Sequence, residues 1–186
     1  MAKILIGLPT NRPIKQKTVE CLLRMVAHSK DHEFLIITAT LGYTPSEKRN
    51  WIIVQALNAK CDYIFFTDDD MVFPPETLET LLSRDKDVIG VLYRMRGEPP
   101  KWTIEGEIEK DVFQCKGVGA GLMLINCRIL MNIQKEDGWF GTKVDAVGQT
   151  IIGDSFYFCD KVRQAGYGVW CDPTIKVGHL GEFNYE

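Results

Sequence analysis

The sequence predicts an α/β fold with a mostly parallel central sheet and helices on both faces. Three observations predict it. Strand-like apolar runs alternate with segments of helical period through the first half of the chain, the pattern of parallel strands joined by crossover helices. Tyr63 to Thr67 is β-branched and aromatic throughout, the composition of a buried strand. Pro74 and Pro75 then forbid further strand and suit a helix entry, with Pro75 near its first position.

Taken in order, residues 3–8 form a first strand ending at Pro9-Thr10-Asn11-Arg12-Pro13. Val19, Leu22, Leu23 and Val26 then recur at the offsets of one buried helix face. Phe34 to Thr38 is a second strand. A turn through Gly42 to Pro45 leads to Ser46 as N-cap of a helix carrying Ile52, Ile53, Ala56 and Leu57. After the strand at 63–67 comes a helix around 75–84, with Leu78, Leu81 and Leu82 inward, and then a strand at Val88 to Tyr93.

The second half is less regular. Arg94 to Glu109 reads as a long loop or β excursion, Ala120 to Asn126 as a strand, and 128–135 as a short helix. Residues 136–153 are a candidate mobile loop. Asp154 to Ala165 is helical, with Gly166 past its end. Short strands are expected at 169–171 and 174–177.

The 186 residues suit one domain, 1–186. Hydrophobic content of 45% and charged content of 25% are those of an ordinary globular protein. The net charge of −3 argues against a phosphate-backbone-binding surface and hence a nucleic-acid partner. No stretch approaches the ~18–20 apolar residues of a membrane span, and the N-terminus lacks a signal-peptide layout. Cys21, Cys61, Cys115, Cys127, Cys159 and Cys171 include no C-x-x-C pair, so they read as reduced, buried hydrophobes, pointing to a cytoplasmic protein.

Asp68, Asp69 and Asp70 close the buried strand, at the rim where open α/β sheets bind ligands. Three adjacent carboxylates repel, and a divalent metal carrying a phosphorylated ligand resolves the conflict. Alternate residues of an extended chain point the same way, so Asp68 and Asp70 can face one ion, and hard oxygen donors suit Mg²⁺ or Mn²⁺. The alternative is a solvated acidic turn with Asp69 or Asp70 capping the next helix.

His179, between Gly178 and Leu180-Gly181, is either structural or a late nitrogen ligand that would favour Mn²⁺. Gly117-Val118-Gly119-Ala120-Gly121 either lets backbone approach a sugar or phosphate, or marks a strand-entry bulge. Asp154 either caps its helix or serves as general base. Arg49, at a helix start, either reaches a diphosphate or is solvated. Trp102, Trp139 and Tyr185 are aromatic platforms for sugar rings or anchors to the core.

Taken together and in this order, strand-Pro9-Thr10-Asn11-Arg12, Arg49-Asn50, Phe65 to Met71, Gly117-x-Gly119, Gly153-Asp154 before Phe158-Cys159, Gly166-Tyr167 and Gly178-His179 form a set. It resembles the Rossmann-like GT-A-fold nucleotide-sugar glycosyltransferases, especially the family 2-like group, over nearly the whole chain. The resemblance implies metal-dependent transfer of a sugar from a nucleoside-diphosphate sugar to an acceptor hydroxyl on a glycan, lipid-linked carrier or small molecule. Pro9, Thr10 and Asn11 would line the nucleobase pocket, Asp68 would lie near the ribose as well as the metal, Arg49 and Asp69 would sit near the nucleotide, and Gly119 would face donor sugar or acceptor. Asp68, Asp70 and His179 would hold Mn²⁺ or Mg²⁺.

One departure bears on stereochemistry. Inverting members often carry Glu-Asp before the Phe-Cys helix, the Asp being the base; here those positions read Asp154-Ser155. Either Asp154 takes the role, or the reaction is retaining, or the chain is a nucleotide-sugar- or glycan-binding module that lost its base. A nucleotidyltransferase is the other reading, although Leu8 to Pro13 lacks its Gly-rich phosphate loop.

Overall fold

The computed structural model describes residues 1–40, 42, 44–95, 99, 101–133 and 136–181. In chain order the elements are β1 (Lys3–Leu8), α1 (Gln16–His28), β2 (Glu33–Thr38), α2 (Pro45–Asn58), β3 (Tyr63–Thr67), β4 (Met71–Val72), α3 (Thr77–Ser83) and β5 (Val88–Val91). There follow β6 (Ile104–Glu105), β7 (Phe113–Cys115), β8 (Gly117–Val118), β9 (Leu122–Asn126), a 3₁₀ turn (Cys127–Ile129), β10 (Lys143–Val144), β11 (Thr150–Ile152), α4 (Asp154–Gln164), β12 (Val169–Asp172) and β13 (Gly178–His179).

Seven strands form the central sheet in the order β2-β1-β3-β9-β5-β12-β7. β1 pairs parallel with β2 and β3, and β12 pairs parallel with β5. β9 lies antiparallel between β3 and β5, and β7 runs antiparallel on the edge. Alternation along the strands divides the core in two. Ile4, Ile6, Leu8 and Phe65 pack with α1 and α3; Leu5, Ile64 and Phe66 pack with α2 and α4. Helices therefore cover both faces, as the sequence predicts.

Several local expectations are corrected. α1 buries Thr18, Leu22 and Met25, while Val19 and Leu23 are exposed. Apolar residues straddle two adjacent stripes here, so the period gives the spacing but not the phase. The cap of α2 is Thr44 rather than Ser46: its hydroxyl accepts from the Glu47 N–H while the Glu47 carboxylate accepts from the Thr44 N–H, and Pro45 takes the first position.

In place of a strand at 174–177, β13 forms at 178–179 and pairs antiparallel with β4. The segment expected as a helix at 128–135 contains only the 3₁₀ turn among its described residues; Gln134 and Lys135 lie outside them. Gly166 does sit past α4 with φ +87°, a conformation that costs glycine nothing.

Residues 136–153 are built rather than irregular. Asn50 on α2 accepts from the Trp139 and Phe140 N–H groups at 3.0 and 2.8 Å and donates to the Phe140 carbonyl at 2.8 Å. Phe140 is buried, stacked on Phe158 at 4.5 Å and edge-on to Phe66 at 5.6 Å. Beyond it, β10 and β11 make a hairpin leading into α4.

Candidate active site

The C-terminal ends of β1 and β3, the first turn of α2 and the start of α4 enclose a cleft of about 510 Å³. Pro9, Thr10, Asn11 and Arg12 form one wall, and Pro45, Lys48 and Arg49 another. Asp68, Asp69, Asp70 and Tyr93 make the floor, with Asp154 and Ser155 at the far side. A hollow of about 610 Å³ at the opposite strand ends has one lining carboxylate, Asp62, which accepts from the Lys3 N–H at 2.7 Å. Among the described residues, four of the five buried charged side chains, Lys48, Arg49, Asp69 and Asp70, line the first cleft; Asp172 is the fifth.

The three aspartates divide their work. Asp68 accepts from Arg49 Nη2 at 2.9 Å. Asp69 faces the first loop, accepting from the Thr10 hydroxyl and from Arg12 Nη2 at 3.1 Å, and its carbonyl accepts from the Lys15 N–H at 2.8 Å. Asp70, 1% exposed, faces His179, with Oδ1 3.1 Å from Nε2. The β4–β13 ladder, which sets His179 opposite Met71, delivers the imidazole from far along the chain, and the Leu180 N–H donates to the Asp70 carbonyl at 2.8 Å.

His179 Nδ1 lies 2.9 Å from the Arg94 carbonyl oxygen, an acceptor, so Nδ1 carries the ring proton. In the neutral ring, Nε2 then presents a lone pair to the Asp70 carboxylate. Two acceptors facing each other call for a proton or a cation between them. Holding the far N–H on a carbonyl is also how metal-ligating histidines are oriented. Among the described residues, no group of three or more His, Cys, Asp or Glu side chains is already gathered to hold an ion.

Arg49 ties the two sides together. Its guanidinium is 5% exposed, pairs through Nη1 with Asp154 and through Nη2 with Asp68, and lies over the Phe140 ring at 5.6 Å. Burial alone would lower its pKa, but Asp154 and Asp68 outweigh it and the net shift is upward. Enclosure raises the Asp68 carboxyl, with Arg49 opposing. Asp154 also accepts from the Ser155 N–H at 2.8 Å, and the Ser155 hydroxyl accepts from the Ala120 N–H at 3.2 Å. Ser155 thus braces the turn before β9.

Gly119 stands apart from the cleft. Its N–H donates to the Thr103 carbonyl at 2.8 Å, and a Cβ there would meet the Tyr93 hydroxyl at 2.5 Å. Its smallness lets Tyr93 in. Tyr93 was not singled out by the sequence reading, although it ends a predicted strand at the ligand-binding rim. Its hydroxyl accepts from the Gly121 N–H at 2.9 Å, its ring meets His179 edge-on at 5.6 Å, and burial pushes its phenol well up. Trp139 is an anchor, buried and donating to the Leu130 carbonyl at 2.9 Å; Trp102 is half exposed beneath the Arg94 guanidinium at 4.6 Å; Tyr185 lies outside the described residues.

No family model and no curated protein matches the sequence. Solved structures do. The chain is similar to A197 from STIV, with a TM-score of 0.65 and 16% identity over 98% of this chain and 87% of that one. It is similar to TarS 1–349 from S. aureus in complex with UDP-GlcNAc, at 0.57 and 13% over 98% and 60%. GalNAc-T7 with UDP, GalNAc and Mn²⁺ follows at 0.51 and 10% over 96% and 44%. The fold is that of the GT-A glycosyltransferases. The chain spans less than two thirds of these TarS and GalNAc-T7 chains. The GT-A fold also resembles the inositol-1-phosphate CTP transferase from T. maritima, at 0.55 and 9% over 95% and 88%. At these identities the likeness speaks for the fold alone.

Proposed function

We propose that this protein is a metal-dependent glycosyltransferase that moves a sugar from a nucleoside-diphosphate sugar to an acceptor hydroxyl. The observation that carries the reading is Asp70 and His179 facing each other as two acceptors at a strand-end cleft, with the other ring nitrogen committed to a carbonyl. That donor set, mixed oxygen and nitrogen, fits Mn²⁺, with Mg²⁺ the harder alternative. Asp70 and His179 would hold the ion and Asp68 would complete the set from the same rim. When bound, such an ion offsets the charge that develops on a departing diphosphate.

The chain's own residues supply the rest. Asp69 fixes the Pro9 to Arg12 loop through Thr10 and Arg12, shaping the wall where Pro9, Thr10 and Asn11 would meet the nucleobase. Arg49 would flank the nucleotide. Asp154, at the opposite side, would take the acceptor proton; an incoming hydroxyl would have to share or displace its contact with Arg49. Domain extent 1–186 and a cytoplasmic setting accompany this reading as proposals; no helix among the described residues is long and apolar enough to cross a membrane.

The test is a thermal-shift screen of nucleotide sugars with and without Mn²⁺, since a true donor stabilises the fold by mass action. Product analysis then separates the rivals: released nucleoside diphosphate marks sugar transfer, released pyrophosphate a nucleotidyltransferase. Donor binding with neither product marks a binding module. In Asp70→Ala, Mn²⁺-dependent donor stabilisation is expected to vanish; undiminished turnover would remove the metal role.

A further inference from the structure

Lys48 lies in the first turn of α2, lines the cleft between Pro45 and Arg49, and is only 5% exposed. Lysine is seldom so buried unless its ammonium has a partner, because removing the charge from water is costly. The arginines of the cleft are paired: Arg12 sits on Asp69, and Arg49 on Asp68 and Asp154. Among the described residues, the Lys48 ammonium makes no hydrogen bond or ion pair; its stem is enclosed while Nζ itself keeps contact with solvent. It also stands at the positive end of the 14-residue α2, whose dipole favours an anion in the same place.

We propose that Lys48 is the phosphate-binding residue of the cleft, its ammonium receiving the diphosphate of a nucleoside-diphosphate donor. The proposal rests on the transferase reading and adds to it the group that recognises the anion. A compact ammonium on a flexible stem suits a tetrahedral phosphate as a point charge. Asp68, Asp69 and Asp154 are held by arginines, so they do not compete for it. A donor would then be gripped from two sides, by Lys48 on the α2 wall and by the Asp70–His179 side of the floor.

The experiment is calorimetric titration of inorganic pyrophosphate, in EDTA, into the wild-type protein and into Lys48→Met, Lys48→Gln and Lys48→Arg. Lys48→Met keeps the buried stem and removes the charge; Lys48→Gln serves if the first does not fold. The expected result is binding by the wild type, weakened about tenfold or more in the two neutral variants, as for loss of a charge-assisted contact, and largely restored in Lys48→Arg. Equal pyrophosphate affinity in the neutral variants, or none in the wild type, overturns the role of Lys48 and leaves the transferase reading standing. Failure of the wild type to bind any nucleoside diphosphate with Mn²⁺ overturns both.

Discussion

Arg49 Nη2 and Asp68 Oδ1 meet at 2.9 Å within the cleft, and Nη1 of the same guanidinium holds Asp154, 105 positions further along the chain. One buried cation therefore reconciles two carboxylates that belong to opposite sides of the site.

Removing that cation should be costly. Arg49→Ala is expected to lose roughly 2–3 kcal/mol, less than the ~3–5 of a fully buried pair because Asp68 is 32% exposed. For a chain of this size that is a fall in Tm of about 5–10 °C. Adding Asp154→Asn should recover part of the loss, since one stranded carboxylate is then neutral. A double variant no better than the single would show that the pair does not set the stability.

Asp154→Asn on its own separates binding from chemistry. Donor affinity by calorimetry is expected to stay within about twofold of wild type, while the transfer rate falls by roughly 10²–10⁴, the usual span of general-base catalysis. An unaltered rate would remove Asp154 as the proton acceptor.

Asn50→Ala tests how the segment before the hairpin is held. Three hydrogen bonds to the Trp139 and Phe140 backbone are lost together, and the freed groups are only partly reachable by water. The expected cost is about 2–4 kcal/mol. Amide exchange at residues 139 and 140 should quicken well before that of β3. If exchange there is unchanged, the Phe140–Phe158 stack alone carries the anchoring.

The buried thiols give a pH signature. Burial raises Cys115 to about 11 and Cys127 and Cys159 to about 12, from the ordinary thiol value of 9.0. The folded state keeps protons there that the unfolded chain sheds. This contribution is whole below pH 9 and is lost as pH climbs from about 9 toward 11–12, by up to ~1.4 kcal/mol per unit for each thiol. Urea midpoints should be level from pH 7 to 8 and fall steeply between 9 and 10.5. A level profile across that alkaline range would contradict the burial of these thiols.

What could be read from the residues, and what could not, follows from the kind of signal each carries. β3 was legible because its run of bulky apolar residues admits one interpretation, and Pro74 and Pro75 ended it unambiguously. Asp70 was legible as a rim residue for the same reason. In the fold the late imidazole of His179 lies 3.1 Å from Asp70, a neighbourhood that nothing local in the sequence encodes. The antiparallel sense of β9 was not legible, since apolar composition is blind to direction and only the topology supplies it. The phase of α1 failed where two apolar stripes adjoin. A glycine that admits a tyrosine, as Gly119 does, looks in sequence like one that admits a ligand. Lys48 was passed over because lysine at a helix start is usually solvated, and only the fold shows this one enclosed.

The position of β5 has a consequence for synthesis of the chain. Both neighbours of β5 in the sheet, β9 and β12, are encoded after it, and all four of its residues are buried in the finished protein. While a ribosome is still working toward residue 122, Val88 to Val91 has no sheet neighbour to dock against. A nascent fragment of that length carries a sticky, unpaired strand, the feature that draws chaperones or seeds aggregation. Successful folding therefore waits on the arrival of β9, which closes the gap between the two halves of the sheet in a single stroke.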